Sequence, residues 1–196
     1  TGGTGLIGQA LVKKLLDDGH QISILTRNIE KTEFQVGVST YQWNGANTEG
    51  WSHIIEEMDA IVNLAGESIA GNSLTAILTR RWNPEQKKRI KQSRLQSGRA
   101  LSEAIKSASK KPEVFVQASA VGFYGPHGSN IITEQSSAGN DFLSKVCQSW
   151  EVSSMDIEKM GIRRVILRTG LVIAPEGGIL PMMLLPFRFF VGGPIG

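Results

Sequence analysis

The sequence begins with the glycine-rich stretch Thr1-Gly2-Gly3-Thr4-Gly5-Leu6-Ile7-Gly8. Apolar residues then recur at helical spacing, at Ile7, Leu11, Val12, Leu15 and Leu16. Glycines at positions 2, 5 and 8 permit a tight turn, a close approach of the backbone to a phosphate, and close packing of the helix. The stretch therefore predicts a turn into a helix whose N-terminal N–H groups face a pyrophosphate. The alternative is a tight turn that binds no ligand.

Short apolar segments alternate with helical patterns along the rest of the chain. Five of them are predicted strands: Gln21–Arg27, Val38–Trp43, Ala60–Ala65, Val114–Ala118 and Val165–Leu167. Helices are predicted after the N-cap Asn83 and from about Asp141 to Met160, with Gly161 at the end of the second. Such alternation is typical of a parallel sheet covered on both faces, so we predict an α/β, doubly wound domain of the Rossmann type.

Both ends of the sequence indicate a partial domain. A glycine turn of this kind is normally reached from a buried strand, and no such strand precedes Thr1 in the sequence. The last residues, 192–196, have the composition of a loop. We therefore expect that the first strand and a small C-terminal substrate region are missing from this chain.

Composition excludes several classes of protein. The 196 residues are 40% hydrophobic and 20% charged, as in soluble globular proteins. The longest apolar stretch, Ile179–Val191, is interrupted by Pro181, Pro186 and Arg188, so no membrane span is expected. Cys147 is the only cysteine of the sequence, which fits a reducing compartment, and we expect a cytoplasmic protein.

Charge and histidine spacing predict neither nucleic-acid nor metal binding. A net charge of +3 suits anionic small molecules but is small for a nucleic-acid-binding protein. One basic segment lacks interleaved aromatic residues and is interpreted as a solvated helix face: Lys87, Lys88, Arg89, Lys91 and Arg94. The three histidines lack the spacing of metal ligands: His20, His53 and His127.

The end of the second predicted strand bears on the choice of cofactor. A carboxylate at this place would bind the ribose 2′-hydroxyl of NAD, but the sequence has Thr26, Arg27 and Asn28. The planar guanidinium of Arg27 can pair with a 2′-phosphate, so we predict NADP(H) as the cofactor. A solvated surface arginine is the alternative.

Five further segments carry a family resemblance: Val62–Ser68, Arg80–Ile90, Ser119–Gly125, Ile166–Leu180 and Pro186–Gly196. Together with the opening stretch, they resemble the extended or atypical short-chain dehydrogenase/reductases. Within these, the chain is most similar to the YfcH-like NAD(P)-dependent epimerase family, which is related to human short-chain dehydrogenase/reductase family 39U. The resemblance implies an NADP-binding, epimerase-like oxidoreductase, possible substrates being a nucleotide-sugar or another carbonyl compound.

The resemblance and the glycine pattern together predict a set of cofactor-binding residues. Thr26 and Arg27 would contact the adenosine end, and the segment from Leu64 to Gly66 would line the cofactor. Arg94 would face the site and hold a phosphate or carboxylate, or it is one more exposed charge on a basic helix. The full set is Gly2, Thr4, Gly5, Leu6, Ile7, Gly8, Thr26, Arg27, Leu64, Ala65, Gly66 and Arg94.

The catalytic end departs from the pattern of the superfamily. Its enzymes use a tyrosine and a lysine four residues apart on one helix, together with a serine from the preceding strand end. Lys145 is present, but Asp141 stands four residues before it, so the tyrosine is missing. Ser119 matches the serine, Tyr124 is a replacement acid or a packing residue, and Lys145 is a ribose-binding or a surface lysine. Asp141 could accept protons, but its place beside Asn140 at a helix start favours a helix cap.

Two functional hypotheses follow. The first is an NADP-dependent enzyme acting on a small-molecule substrate, and the second is a binding protein that senses NADP(H) and has lost turnover with its tyrosine. We expect residues 1–170 to form the NADP-binding domain and residues 171–196 to begin a substrate-covering region. An apolar segment from Met182 to Phe190 would be a helix over the substrate cleft, or alternatively the surface of a homodimer. No membrane contact is predicted.

Overall fold

The computed structural model of the protein describes residues 1–29, 36–69, 83–190 and 192–193. Parts of the segments quoted above, residues 80–82, 191 and 194–196, and the side chain of Met182 lie outside the described residues. The described α-helices are α1 (Leu6–Asp17), α2 (Pro84–Ser107), α3 (Phe142–Val152) and α4 (Leu180–Arg188). The described strands are β1 (Ile22–Thr26), β2 (Val38–Gln42), β3 (Ala60–Asn63), β4 (Val114–Ala120), β5 (Arg163–Thr169), β6 (Ile173–Ala174) and β7 (Gly177–Gly178).

Parallel strands dominate the fold, as the sequence predicts. β1 pairs with β2, and β3, β4 and β5 pair in that order, every one of these pairs being parallel. β6 and β7 form a short antiparallel hairpin. The carboxyl ends of β3, β4 and β5 therefore lie along one edge, which is where open α/β sheets bind their ligands.

Thr1 lies beside β3 on the side that faces away from β4. Its main-chain N donates to the Val62 carbonyl at 2.7 Å, and the Leu64 N–H donates to the Thr1 carbonyl at 3.2 Å, which is the pattern of a parallel pair. Between β1 and β3 lies a cavity of about 130 Å³ with a mainly apolar lining that includes Ile24 and Ile61. The expectation of a further strand before Thr1 stays a prediction.

The helices pack through the apolar stripes that the sequence shows. α2 begins as predicted, because the Asn83 side chain accepts a hydrogen bond from the Gln86 N–H at 2.8 Å and Pro84 occupies the first turn. Its buried side includes Ile90, Leu101 and Ile105, which are at most 1% exposed. This side covers the core between the helix and β4, so α2 is anchored against the strand that carries Ser119.

The prediction of a single helix from about Asp141 to Met160 is wrong in its extent. It is divided into α3, which ends at Val152, and a 3₁₀ segment over Met155–Met160. At the break, the Ser153 hydroxyl donates to the Trp150 carbonyl at 2.6 Å, a local bond that competes with regular helix geometry. Gly161, with a φ of +79°, ends the 3₁₀ segment as expected for a left-handed position.

The C-terminal part of the described chain carries the predicted apolar helix, α4. Several of its apolar side chains are exposed, among them Met183, Leu184 and Phe187, and Phe189 and Phe190 follow it on the surface. Among the described residues, no helix has both the length and the apolar character needed to cross a lipid bilayer.

Candidate functional site

A cleft of about 440 Å³ opens at the carboxyl ends of β1, β2 and β3. Its volume lies in the range of small-molecule binding sites. The predicted residues in its lining are Gly2, Thr4, Gly5, Thr26, Arg27, Leu64, Ala65 and Gly66. The sequence analysis missed the rest of the lining, which is Leu25, Asn28, Trp43, Asn44, Gly45, Glu67, Ser93, Gln96 and Ser97.

The glycine turn forms one wall of the cleft and packs directly on the end of β3. Gly2 has a φ of +73°, and a Cβ at this position would lie 2.7 Å from the Leu64 carbonyl carbon. A Cβ at Gly8 would lie 2.2 Å from the Gly2 carbonyl oxygen, so the beginning of α1 is locked to the turn. A Cβ at Gly5 would meet no atom nearer than 3.4 Å. Gly8 is therefore required for packing, whereas Gly5 leaves open space in the cleft wall.

Helix α1 begins at this wall without a side-chain cap. Gly5 is the N-cap, and no side chain of the described residues accepts a hydrogen bond from the first turn. The N-terminal N–H groups of a helix carry partial positive charge and bind anions. The wall thus offers backbone donors where the sequence predicts a pyrophosphate.

Arg27 lies at the opposite side of the glycine turn in the same lining, and its main chain is held in place. The Gln42 side-chain amide donates to the Arg27 carbonyl at 2.8 Å, and the Asn28 N–H donates to the Thr26 hydroxyl at 3.3 Å. The Arg27 side chain is exposed and makes no hydrogen bond or ion pair with any residue that the structure describes. A guanidinium on a fixed backbone with unused donors is suited to pair with a phosphate.

Four predicted cofactor residues lie outside the lining of the cleft: Leu6, Ile7, Gly8 and Arg94. Arg94 is only 8% exposed, so its interpretation as an exposed charge is wrong. Its guanidinium donates to the Glu67 carbonyl at 3.0 Å and lies 4.8 Å from the centre of the Trp150 ring. A Cβ at Gly66 would come within 3.0 Å of it. Arg94 therefore supports the main chain that lines the cleft. Burial lowers the pKa of the Arg94 guanidinium.

A buried amide, Asn63, ties the cleft to the sheet, and the sequence analysis missed it. Its Oδ1 accepts from the Thr1 hydroxyl at 2.7 Å and from the Ala65 N–H at 3.3 Å. Its Nδ2 donates to the Gln117 side chain at 3.1 Å on β4. Both amides are fully buried, so these hydrogen bonds matter for stability. Asn63 thereby fixes the glycine turn and the end of β3 relative to each other.

A second polar cluster, which we call the β4–β5 cluster, comprises Ser119, Tyr124, Glu151 and Arg168. The Ser119 hydroxyl donates to Glu151 Oε1 at 2.6 Å. Arg168 donates through Nε to Glu151 Oε1 and through Nη2 to Oε2, both at 2.9 Å. Its Nη1 donates to the Tyr124 hydroxyl at 2.8 Å. Ser119 and Tyr124, predicted separately, are thus brought together by two charged residues.

Packing holds this cluster in place. The Arg168 guanidinium lies 3.6 Å from the centre of the Phe123 ring, and Ser119 is only 2% exposed. The hydrogen bonds to Glu151 raise the pKa of Arg168, so its guanidinium stays charged. Sequence reasoning missed Glu151 and Arg168. The available signals were an arginine inside an apolar strand, and an acid four residues after the buried Cys147 on the same helix face.

The remaining predicted catalytic positions lie on α3. Lys145 is exposed, and its side chain makes none of the hydrogen bonds among the described residues. Asp141 caps the helix, as predicted, by accepting from the Ser144 N–H at 2.9 Å. Cys147 is buried in the helix face that packs on the sheet, so it is a core residue, and burial raises the pKa of its thiol. Within the described ranges, no group of three or more acidic, histidine or cysteine side chains is placed to hold a metal ion.

A parallel α/β sheet with a glycine turn at the N-terminus of a helix, and a cleft at the strand ends, defines the class of dinucleotide-binding folds. The chain belongs to the NAD-dependent epimerase/dehydratase family, whose model matches residues 1–187. The resemblance inferred from the sequence is thereby confirmed.

Individual relatives agree with this assignment. An epimerase family protein of Staphylococcus saprophyticus is 40% identical over 197 residues, covering 100% of this chain and 62% of its own length. The structure of human epimerase family protein SDR39U1 (isoform 2) with NADPH matches with a TM-score of 0.75 and 33% identity, over 100% of this chain and 60% of its own. A nucleoside-diphosphate sugar epimerase from Corynebacterium glutamicum matches with a TM-score of 0.77 and 32% identity, over 100% and 37%. The chain thus spans less than two thirds of each relative.

Proposed function

We propose that the cleft binds NADP(H), with the pyrophosphate at the start of α1 and the 2′-phosphate at Arg27. The observation that carries this proposal is the exposed Arg27 guanidinium, whose main chain is fixed while its donors are unused by the described residues. The glycine wall and the uncapped helix start support the pyrophosphate position. The human relative, 33% identical, was crystallised with NADPH, which agrees with the choice of cofactor.

Calorimetric titration of NADPH and NADH tests this proposal. We expect NADPH to bind at least about tenfold more tightly than NADH, which is about 1.4 kcal/mol. Arg27→Asp should reverse the preference, because a carboxylate repels the 2′-phosphate and can accept from the ribose hydroxyl of NADH. Arg89→Asp, at an exposed position outside the cleft, is the control and should retain the preference. Equal affinities in the parent protein, or an unchanged preference in Arg27→Asp, would refute the proposal.

We further propose that the chain is part of an epimerase-like oxidoreductase acting on a small molecule with a hydroxyl or carbonyl group, such as a nucleotide-sugar. Ser119, Tyr124 and Lys145 are the proposed residues of the nicotinamide end. The β4–β5 cluster supports this, because it places two hydroxyl groups and an ion pair at the carboxyl edge of the sheet. Stopped-flow oxidation of bound NADPH by a panel of carbonyl compounds and nucleotide-sugars is the test. Loss of rate in Ser119→Ala and Tyr124→Phe is expected.

A non-catalytic NADP(H) sensor is the second candidate. Two observations favour it: Asp141 replaces the superfamily's tyrosine and serves as a helix cap, and Lys145 is exposed without a hydrogen-bond partner among the described residues. If NADPH binds but no member of the panel oxidises it, the sensor is supported. Oxidation that depends on Tyr124 rejects it.

Residues 1–170 are proposed as the nucleotide-binding domain and residues 171–196 as the beginning of a region that covers the substrate. The exposed apolar side chains of α4 support an additional covering contact. A homodimer is the alternative occupant of this face. Because the single buried cysteine fits a reducing compartment, we propose the cytoplasm as the location.

A further inference from the structure

The hydrogen bonds of the β4–β5 cluster have a fixed direction. Ser119 uses its hydroxyl proton on Glu151, at 2.6 Å, and Arg168 donates to both oxygens of the same carboxylate. Arg168 then donates through Nη1 to the Tyr124 hydroxyl, which must act as the acceptor because a guanidinium has no lone pair to offer. Arg168 Nη1 also donates to the Glu134 carbonyl at 3.3 Å. The Ser119 proton and all three nitrogens of Arg168 are thus engaged, whereas the phenolic proton of Tyr124 is not used in any of these bonds.

The Tyr124 proton has no acceptor among the residues that the structure describes. The main chain of Tyr124 donates to the Val121 carbonyl at 3.1 Å, and its own carbonyl is approached by His127 Nε2 at 2.6 Å. Its ring packs on Phe123 and lies 5.0 Å from the Arg168 guanidinium. Tyr124 is only 7% exposed, and among the described residues its hydroxyl accepts one hydrogen bond and donates none. The unused donor is available to an oxygen of a bound ligand.

We infer that Glu151 and Arg168 are positioning residues that make Tyr124 the hydrogen-bond donor, and the proton donor, of the nicotinamide end. This inference rests on the proposed NADP(H)-dependent reaction, and it narrows the choice among the proposed catalytic residues. Ser119 donates its hydroxyl proton in a hydrogen bond to Glu151 and so holds that carboxylate in place. The ligand that this site recognises is a carbonyl compound whose oxygen accepts from Tyr124.

The proton and electron balance of the step is simple. The hydride of NADPH adds to the carbonyl carbon, the C=O π bond breaks, and the carbonyl oxygen takes the phenolic proton of Tyr124. The products are an alcohol, NADP⁺ and a tyrosinate that accepts from Arg168, and solvent returns the proton. The Arg168 donor, 2.8 Å from the phenolic oxygen, holds that oxygen in place before and after the transfer. Glu151 holds Arg168 in the required orientation.

The direction of hydrogen bonding at Tyr124 can be measured without a substrate. The sequence contains two tyrosines, Tyr41 and Tyr124, so Tyr41→Phe leaves Tyr124 as the only phenol. The intensity ratio of the tyrosine doublet in the ultraviolet resonance Raman spectrum distinguishes an accepting from a donating phenol. We expect the ratio of an acceptor in Tyr41→Phe, and a shift away from it when Arg168→Met or Glu151→Gln is added. Arg163→Met, an exposed arginine on the same strand, is the matched control.

The kinetic measurement separates positioning from a merely structural role. For a panel compound that oxidises bound NADPH, Tyr124→Phe should lower kcat about 10²-fold, the usual size of a lost acid catalyst, with little change in KM. Arg168→Lys, which keeps the charge but not the planar fork, should lower kcat less than Arg168→Met. Full kcat in Tyr124→Phe, or a Raman ratio that Arg168→Met leaves unchanged, would overturn the inference. NADPH affinity, measured in the same variants, tests the proposed function separately. The Raman ratio tests the orientation of the Tyr124 hydroxyl even if no compound of the panel is reduced.

Discussion

The two ends of the proposed site differ in the atoms that form them, which are mainly main-chain atoms at one end and side chains at the other. The nucleotide cleft is formed by backbone, through Gly2, Gly5 and the uncapped start of α1, with one exposed cation at Arg27. The β4–β5 cluster is formed by side chains from three separate segments that meet through Glu151 and Arg168. A site made of backbone is encoded in adjacent residues, whereas a site made of side chains depends on the tertiary fold. Substitutions should therefore affect the two ends in different ways.

The largest effect on nucleotide binding is expected from Gly8→Ala. Its Cβ would lie 2.2 Å from the Gly2 carbonyl oxygen and 2.7 Å from the Gly3 Cα, and neither backbone atom can move without distorting the turn. We expect a loss of about 1–3 kcal/mol in the free energy of unfolding, as for overpacking, and no measurable NADPH binding. Denaturant unfolding and calorimetry measure the two quantities.

Gly5→Ala separates packing from binding at the same wall. The nearest atom to its Cβ is 3.4 Å away, an ordinary contact, so stability should change little while the methyl group obstructs the phosphates. Gly170→Ala, where a Cβ meets nothing within 4 Å, is the control for both. If Gly5→Ala binds NADPH as tightly as the parent, the pyrophosphate does not lie at this wall.

At the side-chain end, Glu151→Ala should cost about 2–3 kcal/mol of stability, because it removes the acceptor that Arg168 and the buried Ser119 share. The matched comparison is Asp156→Ala, which removes the Asp156–Lys159 ion pair. The two side chains of this pair are 69% and 72% exposed, so its loss should leave the free energy of unfolding nearly unchanged. Similar costs for both variants would show that the cluster is no more than a surface network.

The smallest effect concerns Asp141, where the superfamily's tyrosine would stand. The hydrogen bond from the Ser144 N–H lowers the pKa of Asp141. Its folded-state pKa is thus below the unfolded value, so its contribution to stability is complete above the unfolded pKa and is lost as the pH falls through the folded one. Asp141→Asn keeps an N-cap acceptor but should abolish this part of the acid dependence of Tm. If the Tm of Asp141→Asn depends on pH below about pH 4 as the Tm of the parent protein does, Asp141 does not stabilise the helix as a charged N-cap.

The difference between the two ends also explains what sequence reasoning reached. The glycine turn, β1 and Arg27 follow one another within 27 residues, so local spacing was enough to predict them together. Asp141 was interpreted correctly because capping is a local interaction. Glu151 and Arg168 are 17 positions apart and meet Ser119 only after α3 packs on β4 and β5, so no spacing rule indicates them. The sequence analysis also missed the end of α3 near Ser153, for a related reason. The Ser153 hydroxyl bonds to the Trp150 carbonyl where the helix ends, whereas the helical spacing of apolar residues continues past this point.

The most direct test is a crystal structure of the protein with NADPH. We predict the pyrophosphate at the N-terminus of α1, the 2′-phosphate within hydrogen-bond distance of Arg27, and the nicotinamide directed toward Tyr124, which still accepts from Arg168. A nucleotide bound elsewhere, or one that lies in the cleft with its nicotinamide directed away from the β4–β5 cluster, would contradict the account.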